Sequence, residues 1–230
     1  MLNANGNPTP RRGFLARLAA GSVALGLGAI PSSLRAEPRG SIKGDGNGAP
    51  GPADWLDGVK GKHRQVLDAV SVNDGMSLVW SMVFLNTHNQ ASKLTDRDLS
   101  AVTVLRHAAI PIGFTDPIWK KYKLGEAFDV KDPATKAPAL RNPYFHPHGG
   151  ELMFPGMEVD ALLARGVIFG VCNLATTVYS GMRAEAVGVP KDEALKEWTA
   201  GLIPGMTLVP SGIWAVNNAQ EHGCNYVYAG

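Results

Sequence analysis

The sequence predicts an α/β domain with about five strands in a mostly parallel sheet flanked by helices. Three observations carry that reading. Short β-rich runs alternate along the chain with segments whose apolar residues recur at helical spacing, the order that right-handed crossovers turn into a parallel sheet. The run 167–172, Val-Ile-Phe-Gly-Val-Cys, is almost continuously apolar, as a strand covered on both faces requires. Strand-like runs give way to helix-like ones through Asn, Asp, Ser or Gly, residues suited to strand-to-helix turns.

In chain order, residues 65–72 are β-rich and end in Asn73-Asp74-Gly75. Residues 76–88 then place Leu78, Val79, Met82, Val83 and Leu85 at helical spacing. Residues 100–106 form the second strand. Asp116-Pro117 offers an N-cap and a first-turn proline to a helix carrying Ile118, Trp119 and Tyr122. Val159, Leu162 and Leu163 mark a short helix before the third strand at 167–172, after which Asn173 caps a helix running to Ala186. Residues 191–200 form a helix closed by Gly201. The fourth strand is 207–209, Pro210-Ser211-Gly212 a turn, 213–222 a helix and 225–228 the last strand. Between Glu126 and Gly156 the chain carries Pro133, Pro138, Pro143, Pro147 and Pro155, which leave a loop long enough to serve as a lid, a binding loop or an oligomer contact.

Ahead of this domain, Arg11-Arg12-Gly13-Phe14-Leu15 precedes an apolar, small-residue stretch and no acidic side chain occurs before Glu37. That order predicts a twin-arginine signal peptide over residues 1–36, a segment shorter in its apolar part than the ~20 residues that span a bilayer. Residues 37–62, rich in Gly, Pro and charge, read as a flexible tether, leaving 63–230 as one domain with a Pro-rich insertion at about 126–156. Arg11, Arg12, Arg17 and Arg35 leave with the signal, so the 22 basic residues fall to 18 against 20 acidic ones. The basic balance of the whole chain therefore belongs to the address, and no clustered Lys/Arg footprint of a nucleic-acid binder remains. The expected product is a soluble periplasmic or otherwise extracytoplasmic protein, handed over by the twin-arginine translocation machinery, with no stable membrane insertion.

In an open parallel sheet, ligands sit at the carboxyl ends of the strands. Those ends carry Asn73 and Asp74, then His107, then Cys172 with Asn173, then Ser211. Cys172 also opens the helix that follows, whose free N–H groups favour a thiolate. The competing reading makes Cys172 a buried small apolar side chain, His107 a loop residue, and Asn73, Asp74 and Ser211 turn and cap residues. His146-Pro147-His148 places two imidazoles close together and, joined by Cys172 or His107, would make a mixed nitrogen and sulfur metal site. Phosphate-cradling glycine motifs and the Gly-x-Ser-x-Gly elbow are missing from the sequence. No cofactor is legible.

The segments Gly166-Val167-Ile168-Phe169-Gly170-Val171-Cys172-Asn173, Ile203-Pro204-Gly205-Met206-Thr207-Leu208-Val209-Pro210-Ser211-Gly212 and Ala219-Gln220-Glu221-His222-Gly223-Cys224-Asn225-Tyr226 resemble the DsrE/DsrF-like family over roughly residues 63–230. The resemblance implies a small α/β fold, a homo-oligomer and, in some members, sulfur passed along as a cysteine persulfide, with Cys172 at the matching cysteine. Three functions are thus open: a thiol or persulfide carrier, a non-enzymatic small-ligand or metal-binding module using the same edge and the Pro-rich loop, and an assembly component with an inert thiol. Cys172 and Cys224 fall at opposite ends of parallel strands, which predicts no disulfide between them.

Overall fold

The computed structural model describes residues 54–230. The expected signal peptide, and the expected tether as far as residue 53, lie outside them. The elements run β1 (His63–Ser71), α1 (Met76–Ala91), β2 (Leu99–Ala108), α2 (Asp116–Tyr122), α3 (Leu124–Ala127), α4 (Val159–Ala164), β3 (Ile168–Cys172), α5 (Asn173–Val187), α6 (Lys191–Ala200), β4 (Thr207–Val209), α7 (Gly212–Glu221) and β5 (Asn225–Tyr228). Short 3-10 turns at Asn73–Gly75 and Ile110–Gly113 follow β1 and β2.

All five strands are parallel, in the order β4-β3-β2-β1-β5. Strands β1 to β4 step outward in one direction, and α7 carries the chain back to set β5 on the free side of β1. The strand order therefore reverses at β1, the position where open α/β sheets leave a crevice beyond their carboxyl ends. The inner strands β2 and β3 are buried along most of their length because both sheet faces are covered there, whereas the edge strand β5 is largely exposed. Leu67, Leu105, Phe169 and Val171 join the larger core with Trp119, Tyr122 and Trp198, whereas Val66, Val102, Val104 and Val209 meet Ala215 and Ala219 of α7.

Trp55 and Leu56 belong to that second core and are 3% and 2% exposed. The end of the segment read as a tether is thus part of the fold. The indole Nε1 of Trp55 donates to Asn218 Oδ1 at 3.1 Å, and its ring lies so close over β3 that a Cβ on Gly170 would fall 2.6 Å from it. A glycine-rich and proline-rich composition hid an aromatic anchor whose partner is 163 residues away. No helix of the described residues is long and apolar enough to cross a membrane.

One irregularity positions the functional edge. Ala69 pairs with Leu105 but Ser71 with Ala108, so β2 holds one residue more than β1 across that gap. The extra residue makes a bulge, with His107 in the left-handed region at φ 49°. Bulges re-aim side chains at the end of a strand. Here the bulge turns His107 out to solvent, while Arg106 reaches across to Asp68 on β1.

Candidate functional site

The carboxyl ends of β1 and β2 open into a cleft of ≈ 1010 Å³ roofed by the Pro-rich insertion. Its floor is the turn Asn73–Gly75. Asn73 and Asp74 adopt left-handed backbone angles, φ 40° and 51°, which Asn and Asp tolerate better than most residues, and both side chains are exposed and line the cleft. Tyr144, from the insertion, lays its ring on Gly75, where a Cβ would meet the ring at 2.7 Å. Phe128 and Tyr179 supply an aromatic wall, their ring centroids 4.9 Å apart.

The roof is held by a buried amide. Asn142 is fully buried, and its Nδ2 donates to the carbonyls of Ile112 and Phe114, both at 2.9 Å, while its Oδ1 accepts from the Tyr144 N–H at 3.0 Å. The Asn142 N–H in turn donates to Asp116 Oδ1 at 2.9 Å. Farther along, Arg141 binds Glu151 at 2.5 Å and Asp132 at 3.4 Å, closing the insertion on itself. These bonds let a segment with little regular structure keep a fixed shape.

Of the residues marked in the sequence, Asn73 and Asp74 meet in the cleft. His107 stands at its border, edge-on to Tyr179 with centroids 5.9 Å apart. Cys172, Asn173 and Ser211 do not line it. Cys172 is 5% exposed and its Sγ caps α5, accepting from the Ala175 N–H at 3.3 Å. Ser211 caps α7 in the same way through the Trp214 N–H at 3.2 Å, and Asn173 is the first residue of α5, its carbonyl accepting from the Thr177 hydroxyl. Both cysteines are free and buried.

The metal site considered for His146 and His148 is not assembled. Both imidazoles are exposed, each 3.4 Å from a carboxylate of its own, Asp160 for His146 and Glu151 for His148. Among the described residues no three His, Cys, Asp or Glu side chains come together as metal ligands would. The reason is geometric: the histidines lie on the insertion, whereas Cys172 is spent on capping α5.

No family model and no curated protein matches the chain. Among solved structures, a protein of unknown function from Methanobacterium thermoautotrophicum is similar at 15% identity, over 73% of this chain and 99% of its own, with a TM-score of 0.36.

Two groups of residues escaped the sequence reading. Tyr144, Phe128 and Tyr179 form the cleft wall, but two of them sit in or beside a Pro-rich loop where no periodicity assigns a face. The other group lies on the α7 side of the sheet. Asp68 on β1 takes Arg106 Nε at 2.6 Å and Nη2 at 2.9 Å, together with the Tyr226 hydroxyl at 2.9 Å. Hydrogen bonding to Asp68 raises the Arg106 pKa further above its ordinary value. An Asp inside an apolar strand was the available signal, because a buried carboxylate demands a cation.

Proposed function

We propose that the domain is a non-enzymatic small-ligand-binding module whose ligand occupies the cleft between the turn Asn73–Gly75 and the Pro-rich insertion. The cleft itself carries this reading: a concave site of ≈ 1010 Å³ at the carboxyl ends of β1 and β2, in which an aromatic wall meets a lining rich in charged side chains. Ligands of open α/β sheets bind in that place. Protein purified from its source cells is expected to show, in native mass spectrometry, a small adduct that is lost on denaturation. A bare polypeptide mass in every preparation would count against the proposal.

The DsrE-like thiol carrier is the second reading. One observation favours it: Cys172 Sγ receives an N–H at the start of the 15-residue helix α5, and a helix N-terminus stabilises thiolate. Its burial favours an inert role. Alkylation near neutral pH separates the two. In the ligand-binding reading, folded Cys172 reacts as slowly as Cys224, whose thiol is pushed up by burial, and both react together in denaturant. A Cys172 that reacts well ahead of Cys224 in the folded protein would restore the carrier. Export rests on the Arg11-Arg12 segment alone and belongs to the same proposal. Homo-oligomer formation has support in an exposed apolar stripe on α5, Leu174, Val178 and Met182.

A further inference from the structure

Tyr144 is 5% exposed and lines the cleft. Its hydroxyl makes no hydrogen bond among the described residues and is not sealed from solvent, so a ligand in the cleft can reach it. Burial, and after it the charge of Asp74, raises its pKa far above the ordinary phenol value, so the hydroxyl stays neutral. Asp74 lines the same cleft and forms no ion pair among the described residues. Two other carboxylates of the cleft, Asp132 and Glu151, are taken by Arg141. Those left, Asp74, Glu126 and Asp129, outnumber the two lysines Lys131 and Lys136.

We infer that the cleft takes a small organic cation, an amine with an aromatic or apolar body, whose ammonium group is held between the Asp74 carboxylate and the Tyr144 hydroxyl. The inference rests on the ligand-binding reading above and names the chemistry of that ligand. An ammonium has only donors to offer, and both groups accept: the carboxylate through either oxygen, the phenol through its lone pairs. The body of the ligand then lies against Phe128 and Tyr179, whose ring faces also attract a cation. An anion of the same size would meet the unpaired carboxylates instead.

The test uses three probes with one ring: phenethylammonium, phenethyl alcohol and phenylacetate, each titrated into the folded protein while backbone amide NMR signals are followed. Phenethylammonium is expected to bind about tenfold more tightly than the alcohol, shifting the amides of Asn73, Tyr144 and Tyr179, and phenylacetate is expected not to bind there. Asp74→Asn, which the left-handed backbone tolerates, should bring ammonium and alcohol to parity. Tyr144→Phe should weaken ammonium binding while leaving the thermal midpoint unchanged or higher, because the hydroxyl it removes has no protein partner. Phenylacetate binding in the cleft as tightly as the ammonium would overturn the cation assignment and leave the cleft as the ligand site. Shifts confined to amides outside the cleft, or no binding by any probe, would overturn both.

Discussion

Arg106→Ala is expected to lower the unfolding free energy by about 3 to 5 kcal/mol, the cost of leaving a buried carboxylate without its cation. The Asp68 side chain is 4% exposed and Arg106 25%, so water reaches the cation but hardly reaches the carboxylate. Deleting the guanidinium removes both of its bonds to Asp68 and leaves only the Tyr226 hydroxyl, one charge-assisted bond where there were three. The effect should appear as a lower urea midpoint at unchanged slope. Asp68→Asn in the Arg106→Ala background should recover part of the loss, since a neutral amide is cheaper to bury than an unpaired carboxylate. Equal stability of Arg106→Ala and the unchanged protein would show that Asp68 is solvated in solution.

Asn142→Ala is expected to cost about 3 kcal/mol, because it strands the buried carbonyls of Ile112 and Phe114 and the N–H of Tyr144 at once. The loss has a local signature. Tyr144 is tied to the rest of the molecule through Asn142 and through its own carbonyl, which accepts from the Val159 N–H at 2.9 Å. Hydrogen exchange at residues 142–146 should therefore speed up by more than the global destabilisation accounts for. A uniform rise across the whole domain would mean that the insertion is held by other contacts.

The strands and helices were legible because their signals are local. The run 167–172 is apolar at nearly every position and becomes β3, and the helical spacing of Leu78, Val79, Met82 and Leu85 becomes the buried side of α1. Val83, read with that set, lies on the exposed side at 38%, because five apolar positions in eight residues are more than one helical face can bury. The cleft was only half legible. Asn73 and Asp74 follow from the rule that ligands collect at strand ends, but Tyr144 reaches them through the fold of a loop whose anchor, Asn142, bonds to carbonyls 28 and 30 residues earlier. The pairing of Asp68 with Arg106 was hidden for a related reason. Asp68 stands opposite Val104, so Arg106, two residues on and on the same face, is its diagonal neighbour, a contact that depends on the pairing and register of β1 with β2. Cys172 was placed correctly at the end of its strand, yet its burial depends on how the start of α5 meets the core, which a strand end alone does not specify.

The cleft as the ligand site is tested most directly by filling it. Ala108 is the last residue of β2, half-buried and on the cleft wall, so Ala108→Trp should occupy the space a ligand needs without disturbing the sheet. Native mass spectrometry of the variant, purified as the unchanged protein is, should show a bare polypeptide with a thermal midpoint within a few degrees of the parent. An adduct of undiminished intensity on a folded Ala108→Trp protein would contradict the account, because its ligand would then lie somewhere else.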